Sequence, residues 1–103
     1  MAVELDKEGH LRNLTDWSPE IATELAAAEG IELTEAHWEI IELIRDFYAS
    51  FEVSPAMRPL IKQIRKKFGE EKATSVYLMQ LFGGSPARLC AKIAGLPRPN
   101  NCI

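Results

Sequence analysis

Apolar residues recur at spacings of three and four from Glu35 to about Phe51. Trp38, Ile41, Ile44 and Tyr48 form one stripe, Ile40, Leu43 and Phe47 widen it, and Glu35, Glu39, Glu42 and Asp46 run along the other side. That period predicts an amphipathic helix, and its length makes it the expected central core helix. Ahead of it, Ser18-Pro19 supplies an N-cap and a first helical residue for a helix to about Glu29. Gly30 stops that helix, and Ile21 and Leu25 lie on its buried side. Leu60, Ile61, Ile64 and Phe68 predict a third helix ended by Gly69, with Pro55 and Pro59 as rival starts. A short fourth helix is expected from Thr74 to Phe82, with Val76, Tyr77, Leu78 and Leu81 as core candidates, broken by Gly83-Gly84. Ser85-Pro86 starts a last helix, Ala87 to Ala94, closed by Gly95.

The two ends of the chain read differently. Val3-Glu4-Leu5 and His10 to Leu14 flank Asp6-Lys7-Glu8-Gly9, which predicts two short strands joined by a turn with glycine in the left-handed position. After Gly95, Pro97 and Pro99 bias the chain toward extended backbone, and Asn100-Asn101 predicts a turn before Cys102. The expected fold is therefore α+β and mostly α, in a single domain over residues 1–103. It has a β-hairpin or meander over 1–15, an array of about five helices over 16–94, and a flexible arm over 95–103.

Composition narrows the setting. A chain of 103 residues, 47% of them hydrophobic, suits one soluble domain. It contains no run of eighteen apolar residues and no basic, apolar leader, so no membrane and a cytoplasmic location are expected. In such a compartment two cysteines point to reactive or buried thiols and away from a disulfide scaffold. Charge is unevenly spread. Residues 1–52 hold thirteen acidic side chains against three basic ones, a net of −10. Residues 53–103 hold nine basic against two acidic, a net of +7. On the third helix Arg58, Lys62, Arg65 and Lys66 gather at i, i+4, i+7 and i+8. That stripe is either a solvated face or a surface for an anion or a partner.

Candidate chemistry concentrates on Cys102. It is a thiol on a proline-stiffened arm at the penultimate position, able to enter another protein's pocket. An ordinary thiol is only a few per cent ionised at neutral pH, so activation must come from a partner or from nearby cations. Arg98 and Lys92 are the local candidates. Cys90 sits among Leu89, Ala91 and Ile93, where a buried cysteine acts as a small hydrophobe; an accessory redox role beside Cys102 is the rival reading. His10 and His37 lack metal-site spacing, no nucleotide or nucleophile-elbow motif occurs, and neither a metal nor a cofactor is expected. Trp17 and Trp38 read as core. A helix-turn-helix regulator built on the third and fourth helices is a further reading, although an acidic chain starts poorly for nucleic acid.

Several runs resemble the DsrC/TusE sulfur-carrier family. They are Pro86-Ala87-Arg88, Lys92 to Pro99, Cys102-Ile103, Trp17, Leu33 to Trp38, Arg45 to Tyr48, Ser54-Pro55, Lys67 to Gly69 and Tyr77-Leu78. The resemblance implies a small N-terminal β-element on a helical array with a C-terminal arm. It also separates two branches. The DsrC branch, which serves dissimilatory sulfite reductase, pairs the penultimate cysteine with another eleven positions earlier, ten residues lying between them. Here Ala91 holds that position and Cys90 lies one residue early, about 100° round a helix. The single-cysteine, TusE-like branch is the better match. By that resemblance Cys102 accepts persulfide sulfur from a TusBCD-like donor complex and passes it to an MnmA-like tRNA 2-thiouridylase. The chain's link to tRNA is then indirect, through 2-thiolation of the wobble uridine. The DsrC-type redox partner remains the alternative.

Overall fold

The computed structural model describes residues 4–7 and 9–99. Five α-helices follow one another: α1 (Pro19–Ala28), α2 (Glu35–Phe51), α3 (Met57–Phe68), α4 (Ser75–Phe82) and α5 (Pro86–Ile93). Local chemistry sets their ends. The Ser18 hydroxyl accepts from the Ile21 N–H at 3.2 Å with Pro19 in the first position, and the Thr74 hydroxyl accepts from the Tyr77 N–H at 3.1 Å. For α2, the Thr34 N–H donates to His37 Nδ1 at 3.0 Å, while His37 Nε2 reaches the Leu81 carbonyl at 2.7 Å. A carbonyl only accepts, so His37 carries its proton on Nε2 and is a satisfied core histidine. Between the rival prolines, α3 starts at Met57: Pro55 is buried before the helix and Pro59 falls inside its first turn, where no N–H is needed.

The expected N-terminal β-hairpin is not formed. Among the described residues there is no strand and no sheet, so the α+β expectation gives way to a helical fold. One antiparallel bridge, Leu5 to Leu11, stands where the hairpin was expected, with Arg12 N–H donating to the Glu4 carbonyl at 3.0 Å. Val3 and Glu8 of that expected hairpin lie outside the described residues. The physical reason lies just after Leu11. The Asn13 side chain accepts from the Thr15 N–H and starts a 3₁₀ turn, Leu14–Asp16, so the chain leaves extended backbone within two residues. Two such short segments without a third strand cannot sustain a ladder. What the segment does instead is bury His10 and Leu11 against the helices.

The centre of the packing is α5, not the long α2. It touches α1, α2, α3 and α4, and buries Ala87, Cys90, Ala91 and Ile93. Small residues at 87, 90 and 91 let four neighbours approach one short helix closely, an arrangement that the larger side chains of α2 could not allow. Ile40, Ile41, Ile44, Leu60, Ile64, Leu78 and Phe82 complete the sealed core. On α4 the buried pair is Leu78 and Phe82, four apart, so the expected core residue Val76 turns outward and is 65% exposed.

Glycine is required where α5 ends. Gly95 has φ +74°, and a Cβ there would strike Trp17, whose own Cβ would lie 2.8 Å away. Gly30 has the same φ with open space around it. Gly30→Ala is therefore expected to cost about 1–2 kcal/mol for the left-handed backbone alone, and Gly95→Ala at least about 3 kcal/mol, because the collision adds to it. Urea unfolding of both variants checks this; equal losses would remove Trp17 as the constraint.

Candidate functional site: the root of the C-terminal arm

A helix leaves its last carbonyls without partners, and at the end of α5 each of these is accounted for. Ala94 N–H donates to the Cys90 carbonyl at 2.9 Å. Leu96 N–H closes onto Ala91 at 2.9 Å and Gly95 N–H onto Lys92 at 3.1 Å, the paired bonds of a Schellman cap. The next carbonyls are taken by side chains from distant parts of the chain. Trp17 Nε1 donates to Ile93 at 2.9 Å, and the Arg45 guanidinium donates to Ala94 at 2.5 Å. Beyond Gly95 the pattern continues: His10 Nδ1 meets the Leu96 carbonyl at 3.0 Å, and the Ser54 hydroxyl donates to Pro97 at 2.5 Å. Because Leu96 offers only an acceptor, the His10 proton sits on Nδ1.

These donors support one another. The Arg45 guanidinium lies over the Trp17 ring, 3.8 Å from its centroid, so one cation–π contact orients both donors toward α5. Burial pulls the Arg45 pKa below its ordinary value, yet a guanidinium stays charged throughout the physiological range. A charged donor to a half-buried carbonyl is stronger than a neutral one. Leu96 is buried and Pro99 is buried, while Pro97 and Arg98 face outward. The first residues of the expected arm are thus tied to the core by side-chain donors as far as Pro97.

The sequence-derived candidates fall into three groups. Cys102, with the turn expected at Asn100-Asn101, lies outside the described residues. Cys90 is fully buried in α5, and desolvation pushes its thiol well above the ordinary range, which removes the thiolate needed for nucleophilic or redox work. Ala91 beside it is equally sealed. Lys92 is engaged elsewhere: it pairs with Glu29, the residue that caps the end of α1, at 2.5 Å and packs beneath Gly9, where a Cβ would meet its Nζ at 2.8 Å. Arg98 is exposed at the start of the arm. Arg58, Lys62, Arg65 and Lys66 are all exposed on α3, with Arg65 reaching Glu70 at 3.5 Å. Among the described residues no cluster of His, Cys, Asp and Glu could hold a metal ion.

Reading along the sequence did not single out Arg45, His10 or Ser54 for this site, and took Trp17 for core alone. A signal was present at Arg45, a cation directly beside the apolar stripe of α2. Its partner is a backbone carbonyl 49 residues away, which no sequence spacing encodes.

The family model described as DsrC like protein matches residues 1–103, and the chain belongs to that family. It is 50% identical over 101 residues to a protein named Sulfurtransferase TusE from Yersinia pseudotuberculosis, covering 98% of this chain and 94% of that one. A protein of the same name from Photorhabdus laumondii is 52% identical over 101 residues, covering 98% and 91%. Among solved structures, the NMR structure of Allochromatium vinosum DsrC superposes with a TM-score of 0.88 at 44% identity, covering 98% of this chain and 90% of that one. The crystal structure of the oxidized gamma-subunit of the dissimilatory sulfite reductase (DsrC) from Archaeoglobus fulgidus gives 0.84 at 36% identity, covering 98% and 92%.

The burial of Cys90 has a pH signature. In the unfolded chain its thiol ionises near 8.5, whereas in the folded protein it stays protonated to much higher pH. Above about pH 8.5 the unfolded state therefore binds fewer protons, and stability falls as pH rises. Relative to Cys90→Ala, the native protein is expected to lose up to about 1.4 kcal/mol per pH unit beyond that point. Urea unfolding at pH 8, 9 and 10 checks this, and parallel pH profiles for the two proteins would contradict it.

Proposed function

We propose that Cys102 carries sulfur as a persulfide, and that the rest of the molecule holds the root of its arm in a fixed direction. The protein is a sulfurtransferase of the sulfur-carrier kind, acting in a sulfur relay for tRNA thiolation, as its near full-length identity to proteins named Sulfurtransferase TusE supports. The Cys102 thiolate attacks the outer sulfur of a donor's persulfide. A new S–S bond forms, the donor's S–S bond breaks, and the donor cysteine leaves as thiolate. The acceptor's thiolate then attacks the terminal sulfur of Cys102–S–SH and releases the Cys102 thiolate. Each step is an exchange, so no external oxidant or reductant is consumed.

The observation that carries the single-cysteine reading is the burial of Cys90. A second thiol is needed for a DsrC-type disulfide cycle, and the one available is sealed in the core with its ionisation suppressed. The solved DsrC structures share the fold, but that alternative fits the thiol arrangement less well. The donor in this reading is a TusBCD-like complex, the acceptor an MnmA-like tRNA 2-thiouridylase, and the setting the cytoplasm, where tRNA is modified. Arg98 at the foot of the arm is assigned to electrostatic support of the thiolate, and the exposed row Arg58, Lys62, Arg65 and Lys66 to partner docking. Lys92, already held by Glu29, is assigned a structural part.

The test is the intact mass of the reduced protein after incubation with a persulfide-loaded TusBCD-like donor complex. One added sulfur, about 32 Da, is expected in the native protein and in Cys90→Ser, and none in Cys102→Ser. Loss of the adduct in both variants, or a loss of two hydrogens from the native protein, would transfer the chemistry to a two-cysteine cycle.

A further inference from the structure

A groove of about 270 Å³ runs between α2 and α3. Leu43 and Phe47 lie along its α2 side, Lys66 and Lys67 along its α3 side. Phe51, the last residue of α2, stands at its edge and is 61% exposed, its ring tilted against Phe47 with centroids 4.6 Å apart. Val53, two residues on, is 46% exposed. Single exposed apolar side chains are ordinary, but an aromatic pair on the wall of a groove, continued by an exposed valine, is a patch with the shape of an anchor site. Its position matters more than its size. Ser54, the next residue after Val53, holds the Pro97 carbonyl, so the patch sits at the foot of the arm that leads to Cys102.

The α3 side of the groove has a definite charge. Lys66 continues the row begun by Arg58 and Lys62 at four-residue steps, and Lys67 stands beside it. Among the described residues none of these four makes an ion pair. Asp46 faces them from α2 and fixes the polarity, so an occupant must bring its acidic groups to the α3 side.

We infer that this groove docks the sulfur donor protein through an acidic segment carrying an apolar anchor. The anchor fills the space against Phe47 and Phe51, and its carboxylates meet Lys62, Lys66 and Lys67. This rests on the relay reading above, which requires a donor to reach Cys102. Electrostatics chooses the donor over the acceptor. An enzyme that holds tRNA presents basic surface to it, which would repel the α3 row, whereas a donor that never binds tRNA is free to be acidic there.

The experiment measures binding of the full-length chain, as Cys102→Ser so that no sulfur moves, to a purified TusBCD-like donor complex. It compares the original groove with Phe51→Ser and with the double variant Lys62→Glu and Lys66→Glu. All three sites are exposed, and circular dichroism verifies that each variant is folded. Each variant is expected to weaken binding at least tenfold, and the charge effect to shrink between 0.05 and 0.5 M salt as screening shortens. Unchanged affinity in the folded variants, or no binding to the donor by the unaltered groove, would overturn the proposal. So would loss of labelled tRNA binding in the double variant while donor binding persists, which would assign the cations to RNA. Groove-dependent binding to a donor that never transfers sulfur to Cys102 would sustain the docking site and sink the relay reading instead.

Discussion

The carbonyl groups at the end of α5 impose the constraint on which the rest of this structure depends. Four neighbouring helices pack around α5, so its last turn cannot be left to water. A buried acceptor without a donor costs about 1–3 kcal/mol, and several in a row would consume much of the stability of a chain this small. The solution is distributed. A glycine that turns the chain back supplies two backbone donors, and Trp17, Arg45, His10 and Ser54 supply the rest. These four side chains come from the segment before α1, from α2, from the N-terminal bridge and from the α2–α3 connection. One short helix end therefore ties together most of the fold.

On the reading proposed above, that arrangement gives the carrier arm a fixed base. Transfer between proteins demands that a single sulfur be presented from a reproducible base, and here the base extends through Pro97, well beyond the last helical residue. The same packing removes Cys90 from the chemistry: a small side chain is needed where α5 meets its neighbours, and full desolvation keeps that thiol neutral. Structural demand at position 90 is thereby separated from the chemistry proposed for position 102. In the proposed relay, activation of the Cys102 thiol is left to the proteins that meet it, and the exposed α3 row and the adjoining groove are the docking surface proposed for them.

Much of this was legible along the chain, for identifiable reasons. The helices announced themselves through periodic apolar residues and through serine or threonine before proline or a first turn, signals that act locally. α2 was expected from Glu35 to about Phe51 and spans those residues. The hairpin was misread because three alternating residues resemble a strand whether or not a partner sheet exists, and Asn13 diverts the backbone before a ladder can grow. The primacy of α5 was hidden because small residues carry little weight in a hydrophobic pattern, although smallness is what permits close packing on every side. The donors around the arm root were hidden for another reason. Their partners are backbone carbonyls 43 to 86 residues away, and a carbonyl has no letter in the sequence.

The claim that the arm is anchored through its first residues is tested most directly by native-state hydrogen exchange at the Gly95 and Leu96 amides, which close the end of α5 onto Lys92 and Ala91. If side-chain donors lock this turn into the core, both amides exchange only through global unfolding, with protection matching that of the α5 interior. Exchange of either amide at the rate of a fraying end, while α5 itself stays protected, would show that the arm begins at Gly95 as a loose tail, and would contradict the account.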